Sequence, residues 1–167
     1  MITAAAVVDN ANSFGTLILS DSECAFDVAV ALQEAAWPIP LRYALIVAPP
    51  EGAAGRDEAV RSKAAVTLMA MDRQAVFCFD LPSKSAEELL VADSTTALHR
   101  TLVLDWTETR LLAVRSYRKH GRQALVAADL SISQQAVSQM LLGASFRRLK
   151  SAEDSMRKWL ARPQRTM

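Results

Sequence analysis

The sequence predicts a mixed α+β chain in two parts: a small ββαβαβ sandwich, then an all-α unit built on a helix-turn-helix. Three observations carry this. Up to residue 92, short apolar β-branched runs alternate with segments of helical period. Beyond it no β-rich stretch occurs, and residues 123–142 have the spacing of two helices meeting at a tight turn. Charge divides too: residues 1–106 hold 14 acidic and 7 basic side chains, net −7, whereas residues 107–167 hold 4 and 12, net +8. The expected division is an α/β dimerisation or sensor unit over 1–92, a connecting helix over 93–106 and a helix-turn-helix unit over 107–167.

The elements follow in order. Ile2 to Val8 reads as a strand, and Asp9 to Asn12 as its turn. Phe14 to Leu19 closes a hairpin. Ser20 stands three residues before Glu23, the capping-box spacing, so a helix is expected from there to about Trp37, with Phe26, Val28, Val30, Ala31 and Leu32 apolar. Pro38 and Pro40 stop it. Leu41 to Val47 is a strand with a buried end. Asp57 to Met71 is a helix with Val60, Ala64, Val66, Leu68 and Met71 among its apolar positions. Gln74 to Asp80 is a fourth strand, and Ser83 or Ser85 caps a short helix through Leu90. Strands joined by single helices favour right-handed crossovers.

Asp93-Ser-Thr-Thr96 looks like a helix start. From Ala97 one long helix, or two in succession, runs to His120, with Leu98, Leu102, Leu104, Trp106, Leu111, Leu112, Val114 and Tyr117 on its apolar faces. Gly121 ends it, behind the basic Arg118, Lys119 and His120 at the negative end of the helix dipole. In the helix-turn-helix, Ala127 supplies the small residue where the helices cross. Val126, Leu130, Ile132, Val137 and Met140 supply the inner positions, and Ser133 the cap of the second helix. Ser131 stands where a glycine usually makes the left-handed turn. Ser151 to Asp154 then starts a last helix, ending near Pro163, with Met156, Trp159 and Leu160 inward. Four helices with the third as reader is the expected shape.

Composition bounds the function. Hydrophobic residues at 51% and charged residues at 22% exclude a disordered chain, and 5 glycines with 6 prolines exclude a low-complexity one. A net charge of +1 hides the basic C-terminal part. The apolar runs are too short for a membrane span, and the N-terminus lacks the Lys or Arg of a signal peptide. Cys24 and Cys78 form no CxxC pair and read as small hydrophobes. These features predict a cytoplasmic protein. Gly52-Ala-Ala-Gly55-Arg56 sits in a βα connection but lacks either phosphate-binding glycine spacing. His99 and His120 form no HxxxH or HExxH set, and no GxSxG elbow occurs. Catalytic residues, a metal and a cofactor are therefore not expected.

The second helix of the motif points Gln134, Gln135, Ser138 and Gln139 outward. Amides and hydroxyls hydrogen-bond base edges, and the N-terminus of such a helix enters the major groove. The expected base contacts are Ser133, Gln134, Gln135, Ser138 and Gln139. The expected phosphate contacts are Arg118, Lys119, Arg122, Arg147, Arg148 and Lys150. The plain alternative for this segment is a helical hairpin in a small bundle with its polar residues merely solvated.

Three stretches occur in order: Phe14-Gly-Thr-Leu-Ile-Leu19, Leu41-Arg-Tyr-Ala-Leu-Ile-Val47, and Trp106-Thr-Glu-Thr-Arg110 followed by Ile132-Ser-Gln-Gln-Ala-Val-Ser-Gln139. Together they resemble the SatD family of bacterial proteins. There the first stretch follows a Gly-Asp-Glu-Phe motif, the second is an Arg-Tyr/Phe-Gly-Ile-Gly strand, and the third is a C-terminal helix-turn-helix. The resemblance covers most of the chain and implies the two-part architecture. The family has no well-defined activity, so it implies no chemistry. This chain lacks the family's opening Gly-Asp-Ile strand, and so resembles an N-terminally shortened member. Asn12-Ser13 replaces the acidic pair, and Ala44 and Val47 replace glycines. The family motifs themselves resemble the metal-binding strands of nucleotide cyclases. That likeness implies lost metal carboxylates and an N-terminal part that dimerises or senses rather than catalyses.

The expectation is thus a sequence-specific, homodimeric DNA-binding regulator with double-stranded DNA as partner, a small-molecule effector of unknown identity, and no membrane partner. The alternative is a nucleotide-binding or degenerate cyclase-like α/β domain whose helical tail contacts a protein.

Overall fold

The computed structural model describes residues 4–10, 13–19, 23–47, 56–72 and 75–162, and for the first two strands it gives the backbone. The chain is of mixed α+β class. Its elements are β1 (Ala4–Asn10), β2 (Ser13–Leu19), α1 (Ala25–Ala36), β3 (Arg42–Val47), α2 (Arg56–Ala70), β4 (Phe77–Asp80), α3 (Ala86–Leu104), α4 (Glu108–His120), α5 (Gln123–Asp129), α6 (Gln134–Gly143) and α7 (Phe146–Ala161). The four strands form one sheet in the order β2-β1-β3-β4. β1 pairs antiparallel with β2 and β3, and β3 pairs parallel with β4.

Strand alternation sends successive side chains of β3 to opposite faces. Tyr43 and Leu45 join Phe26, Ala29 and Val30 of α1, Phe77 of β4, and Met156 and Leu160 of α7. Ala44 and Ile46 face the other way, onto Val60, Ala64 and Leu68 of α2, which stand four residues apart on one helical stripe. Val66, expected among these, is exposed. An aromatic ladder reinforces the first face: Tyr43 stacks on Phe77 with centroids 4.9 Å apart, Phe77 on Phe79 at 5.0 Å, and Trp159 meets Phe79 edge-on at 5.5 Å. The Gln33 side chain fixes the path from α1 into β3. Its amide donates to the Ile39 carbonyl at 2.9 Å and its oxygen accepts from Leu41 N–H at 2.9 Å.

Several element boundaries differ from expectation. Asp9 and Asn10, expected in the turn, are the last residues of β1. The cap of α1 is Cys24, which makes no side-chain capping bond, and Ser20 lies outside the described residues. The capping box is at Ser85 instead. Its hydroxyl accepts from Glu88 N–H at 3.2 Å, and the Glu88 carboxylate accepts from Ser85 N–H at 2.9 Å. From there α3 runs past Leu90 to Leu104, through the segment expected to start a new helix. Ser94, Thr95 and Thr96 do not interrupt it, because their hydroxyls donate to the carbonyls of Leu90, Val91 and Asp93 at 2.9, 2.7 and 2.9 Å. The expected boundary at residue 92 therefore falls inside one helix.

The last helix begins at Phe146, not Ser151. Ser145 takes a left-handed φ of 53° and turns the chain there, six residues before the expected cap. No helix among the described residues is long and apolar enough to cross a membrane.

Candidate nucleic-acid interface

The segment 107–150 packs a small core together with the end of α3 and the α3–α4 junction. Thr107 caps α4 by accepting from Arg110 N–H at 3.4 Å. Gly121 ends it with φ 68°, a left-handed turn that costs a glycine little. Val103, Trp106, Leu111, Val114, Val126, Val137, Leu141, Ala144, Phe146 and Leu149 are buried together. The Trp106 indole N–H donates to the Ala144 carbonyl at 3.0 Å, tying the α3–α4 junction to the end of α6. Ser116 donates to Asp129 at 2.6 Å, joining α4 to the end of α5. That bond, helped by the charges of His120 and Lys119, lowers the Asp129 pKa.

The turn between α5 and α6 closes by two bonds. Ile132 N–H donates to the Ala127 carbonyl at 3.0 Å and Ser131 N–H to the Ala128 carbonyl at 3.3 Å. This is a Schellman closure, which needs a left-handed residue after the helix. Ser131 supplies it with φ 54°. The serine thus adopts the conformation usually given to glycine. Ser133 then caps α6, its hydroxyl accepting from Ala136 N–H at 3.1 Å. Val126 and Val137 are fully buried, while Leu130, Ile132 and Ala127 pack half-buried against the same core. Gly143 allows α6 close to α4: a Cβ there would lie 2.9 Å from the Arg110 guanidinium.

Gln135 and Gln139 lie on the face of α6 opposite Val137 and Leu141, Gln134 and Ser138 flank the buried pair, and all four are exposed, with Ser133 exposed at the N-terminus. The Ser133 hydroxyl is occupied as the cap acceptor, which leaves its proton for an outside acceptor. Arg147 and Arg148 project from the first turn of α7, exposed and without an ion pair among the described residues, as does Arg122 before α5. Lys119 is exposed at the end of α4. Lys150 donates to Asp154 at 2.6 Å, in an exposed pair that water screens. A groove of about 1080 Å³ lies between α1 and this unit, and Ser138, Leu142, Arg147, Arg148 and Lys150 are among its walls.

Arg118 is placed differently from its five companions. Its side chain is 26% exposed and is held by carboxylates of α1 and α7. It donates to both oxygens of Glu153 at 2.8 and 2.6 Å and to Glu34 at 2.9 Å, and its guanidinium lies 5.2 Å from the Phe146 ring. Two buried carboxylates hold it, so it is not available to a phosphate: the expected contact at Arg118 is corrected to a structural bridge between α1, α4 and α7. His99 of α3 completes the group, with its Nε2 3.0 Å from Glu153. Burial pushes the Glu153 carboxyl up, but the bonds from Arg118 and His99 outweigh this and hold it at about 2. Burial dominates at Glu34 and raises its pKa, with Arg118 opposing. Arg115 adds a bond to the Glu34 carbonyl.

The sequence reading did not find this cluster. A signal was present, since Gln33 and Glu34 stand in an otherwise apolar stretch of α1 and both are buried. Among the described residues no group of three or more His, Cys, Asp or Glu side chains is placed to hold a metal ion. The Gly52–Gly55 segment lies outside the described residues. Comparison with protein-family models, with curated proteins and with solved structures finds no match to this chain.

Proposed function

We propose from its geometry that this chain is a sequence-specific DNA-binding protein, a transcriptional regulator that reads the major groove with α6. The observation that carries this is the reader face. Gln134, Gln135, Ser138 and Gln139 stand exposed on the first turns of a helix that Val137 and Leu141 anchor in the core. A glutamine amide can bond adenine in a bidentate way, and the first turns of such a helix are the part that meets bases. Arg122, Arg147 and Arg148, with Lys119 and Lys150, supply positive charge on either side of the motif for phosphates. Arg118 has the separate task of fixing the reader unit to α1 and α7.

In this reading the first 92 residues act as a ββαβαβ sandwich that senses or pairs, and the protein works as a homodimer in the cytoplasm. The acidic charge of that part keeps it off the DNA, while the basic part is drawn to it.

A mobility-shift selection with genomic fragments at low salt tests the reading. Binding is expected, and it should weaken steeply with salt. Replacing Gln134, Gln135 and Gln139 with alanine should flatten sequence preference. Arg147→Ala with Arg148→Ala should weaken all sequences alike and reduce the salt slope by about 2. Absence of any shifted fragment at low salt would end the proposal.

A further inference from the structure

The outer face of α3 has no cover in the described fold. Leu90, Val91, Leu98 and Leu102 lie on it at 68, 66, 67 and 42% exposure. The opposite face is the buried one, with Ala92, Thr96, His99 and Val103. Between the four large side chains stand Ser94, Thr95 and Thr101, whose hydroxyls donate to the carbonyls of Leu90, Val91 and Ala97 at 2.9, 2.7 and 2.9 Å. Those donors are spent within the helix, so they ask nothing of a partner. The face is uncharged from residue 90 to residue 102, and Glu87 and Asp105 bound it at its two ends. Positions 87, 91, 94, 98, 101 and 105 alternate by four and three residues, the seam spacing of paired helices.

We infer that this face pairs with the same face of a second copy, antiparallel, about a two-fold axis level with residue 96. That register is self-complementary, as a two-fold interface requires. Leu90 comes opposite Leu102, Val91 opposite Thr101, and Leu98 opposite Ser94, so a large side chain meets a small one next to the axis and the helices can approach closely. The stripe has no charge that would select an unlike partner. It exposes several hundred Å² of apolar surface per copy, a fair core for an interface of about 800 Å² per partner. At its ends Glu87 of one copy comes against Asp105 of the other, a like-charge rim that weakens the dimer without changing its register. The dimer deepens the DNA reading by supplying paired readers, and rests on that reading only for its use.

Sedimentation equilibrium of the full chain without DNA, from low to high micromolar concentration, tests it. The mass should climb from 18.2 kDa toward twice that value. Leu98→Glu should hold it at the monomer mass throughout. Met69→Glu, at an equally exposed position on α2, should leave it unchanged. Asp105→Lys should shift the midpoint several-fold lower by turning the rim pair attractive, an effect that a parallel pairing of the stripes, with residue 105 facing itself, would not give. Far-UV circular dichroism and a thermal melt establish that each variant is folded, and Leu98→Ser serves if Leu98→Glu is not. A wild-type monomer at every concentration, or a dimer indifferent to both Leu98 variants, overturns the inference. A dimer that shifts no DNA fragment upholds the interface and sinks the regulator; a monomer that binds DNA does the reverse.

Discussion

Replacing Arg118 with methionine separates the two roles a basic residue could have beside this motif. The side chain is close in length, but the charge is gone. Glu34 and Glu153 are 5 and 2% exposed and would remain inside with no cation of comparable geometry. Removing one partner of a buried ionic group costs about 3–5 kcal/mol, which for a chain of this size lowers Tm by about 10 °C. The loss should depend on pH in a definite direction. In the wild type, Glu153 is held at about 2 against an ordinary 4.5, so its contribution is fully present above pH 4.5 and fades as pH falls toward 2. That window amounts to at most about 3 kcal/mol. Glu34 works the other way: its raised pKa costs stability at neutral pH that is regained on acidification toward 4.5. Without Arg118, burial lifts both carboxyls and both take up protons sooner. The deficit of Arg118→Met should therefore be largest near pH 7.5 and shrink by roughly half near pH 4.5. Circular dichroism melts at the two pH values measure it. A Tm within about 2 °C of wild type at neutral pH, coupled with weaker DNA binding, would refute the bridge and return Arg118 to the phosphate contacts.

Other substitutions check the motif and its supports. Ser131→Gly should stabilise the chain by about 0.5–1 kcal/mol, since the left-handed conformation strains a serine and not a glycine; a lower urea midpoint would contradict the turn geometry. Trp106→Phe leaves the buried Ala144 carbonyl without its donor and a gap where the indole stood, and should cost about 2–4 kcal/mol in the same titration. Ser85→Ala removes the one reciprocal capping box seen among the described helices, and a loss of about 1 kcal/mol is expected, with hydrogen exchange rising first at the start of α3.

Much of the fold was legible because it is set locally. The strand at 42–47, the helix that packs Val60, Ala64 and Leu68, the end at Gly121 and the cap at Ser133 all follow from apolar period and from how helix ends satisfy their own N–H and C=O groups. The errors were of a different kind. Asp93-Ser-Thr-Thr96 and Ser151 have the composition of helix starts, yet lie within α3 and α7; the hydroxyls of Ser94, Thr95 and Thr96 bond back to the preceding turn and so fit a helix interior as well as a cap. Leu98, Leu102 and Leu112 repeat with helical period as core residues do, and are exposed. Period identifies an apolar face but not what covers it.

The candidate site divides in the same way. The exposed set at Gln134, Gln135, Ser138 and Gln139 could be read directly, since Val137 and Leu141 occupy a narrow stripe of a ten-residue helix and leave the polar side chains around it to solvent. Arg118 could not. In the chain it stands beside Lys119 and looks like its equal, and the residues that capture it are 84 and 35 positions away. The sequence by itself determined the class of fold, the two-helix motif and the side chains offered on its outer face, because these depend on contacts within a few turns. Only the tertiary structure decided which cation is buried and which cations are free, that α7 serves both cores, and that α3 has an uncovered side, because each depends on segments distant in the chain meeting in space.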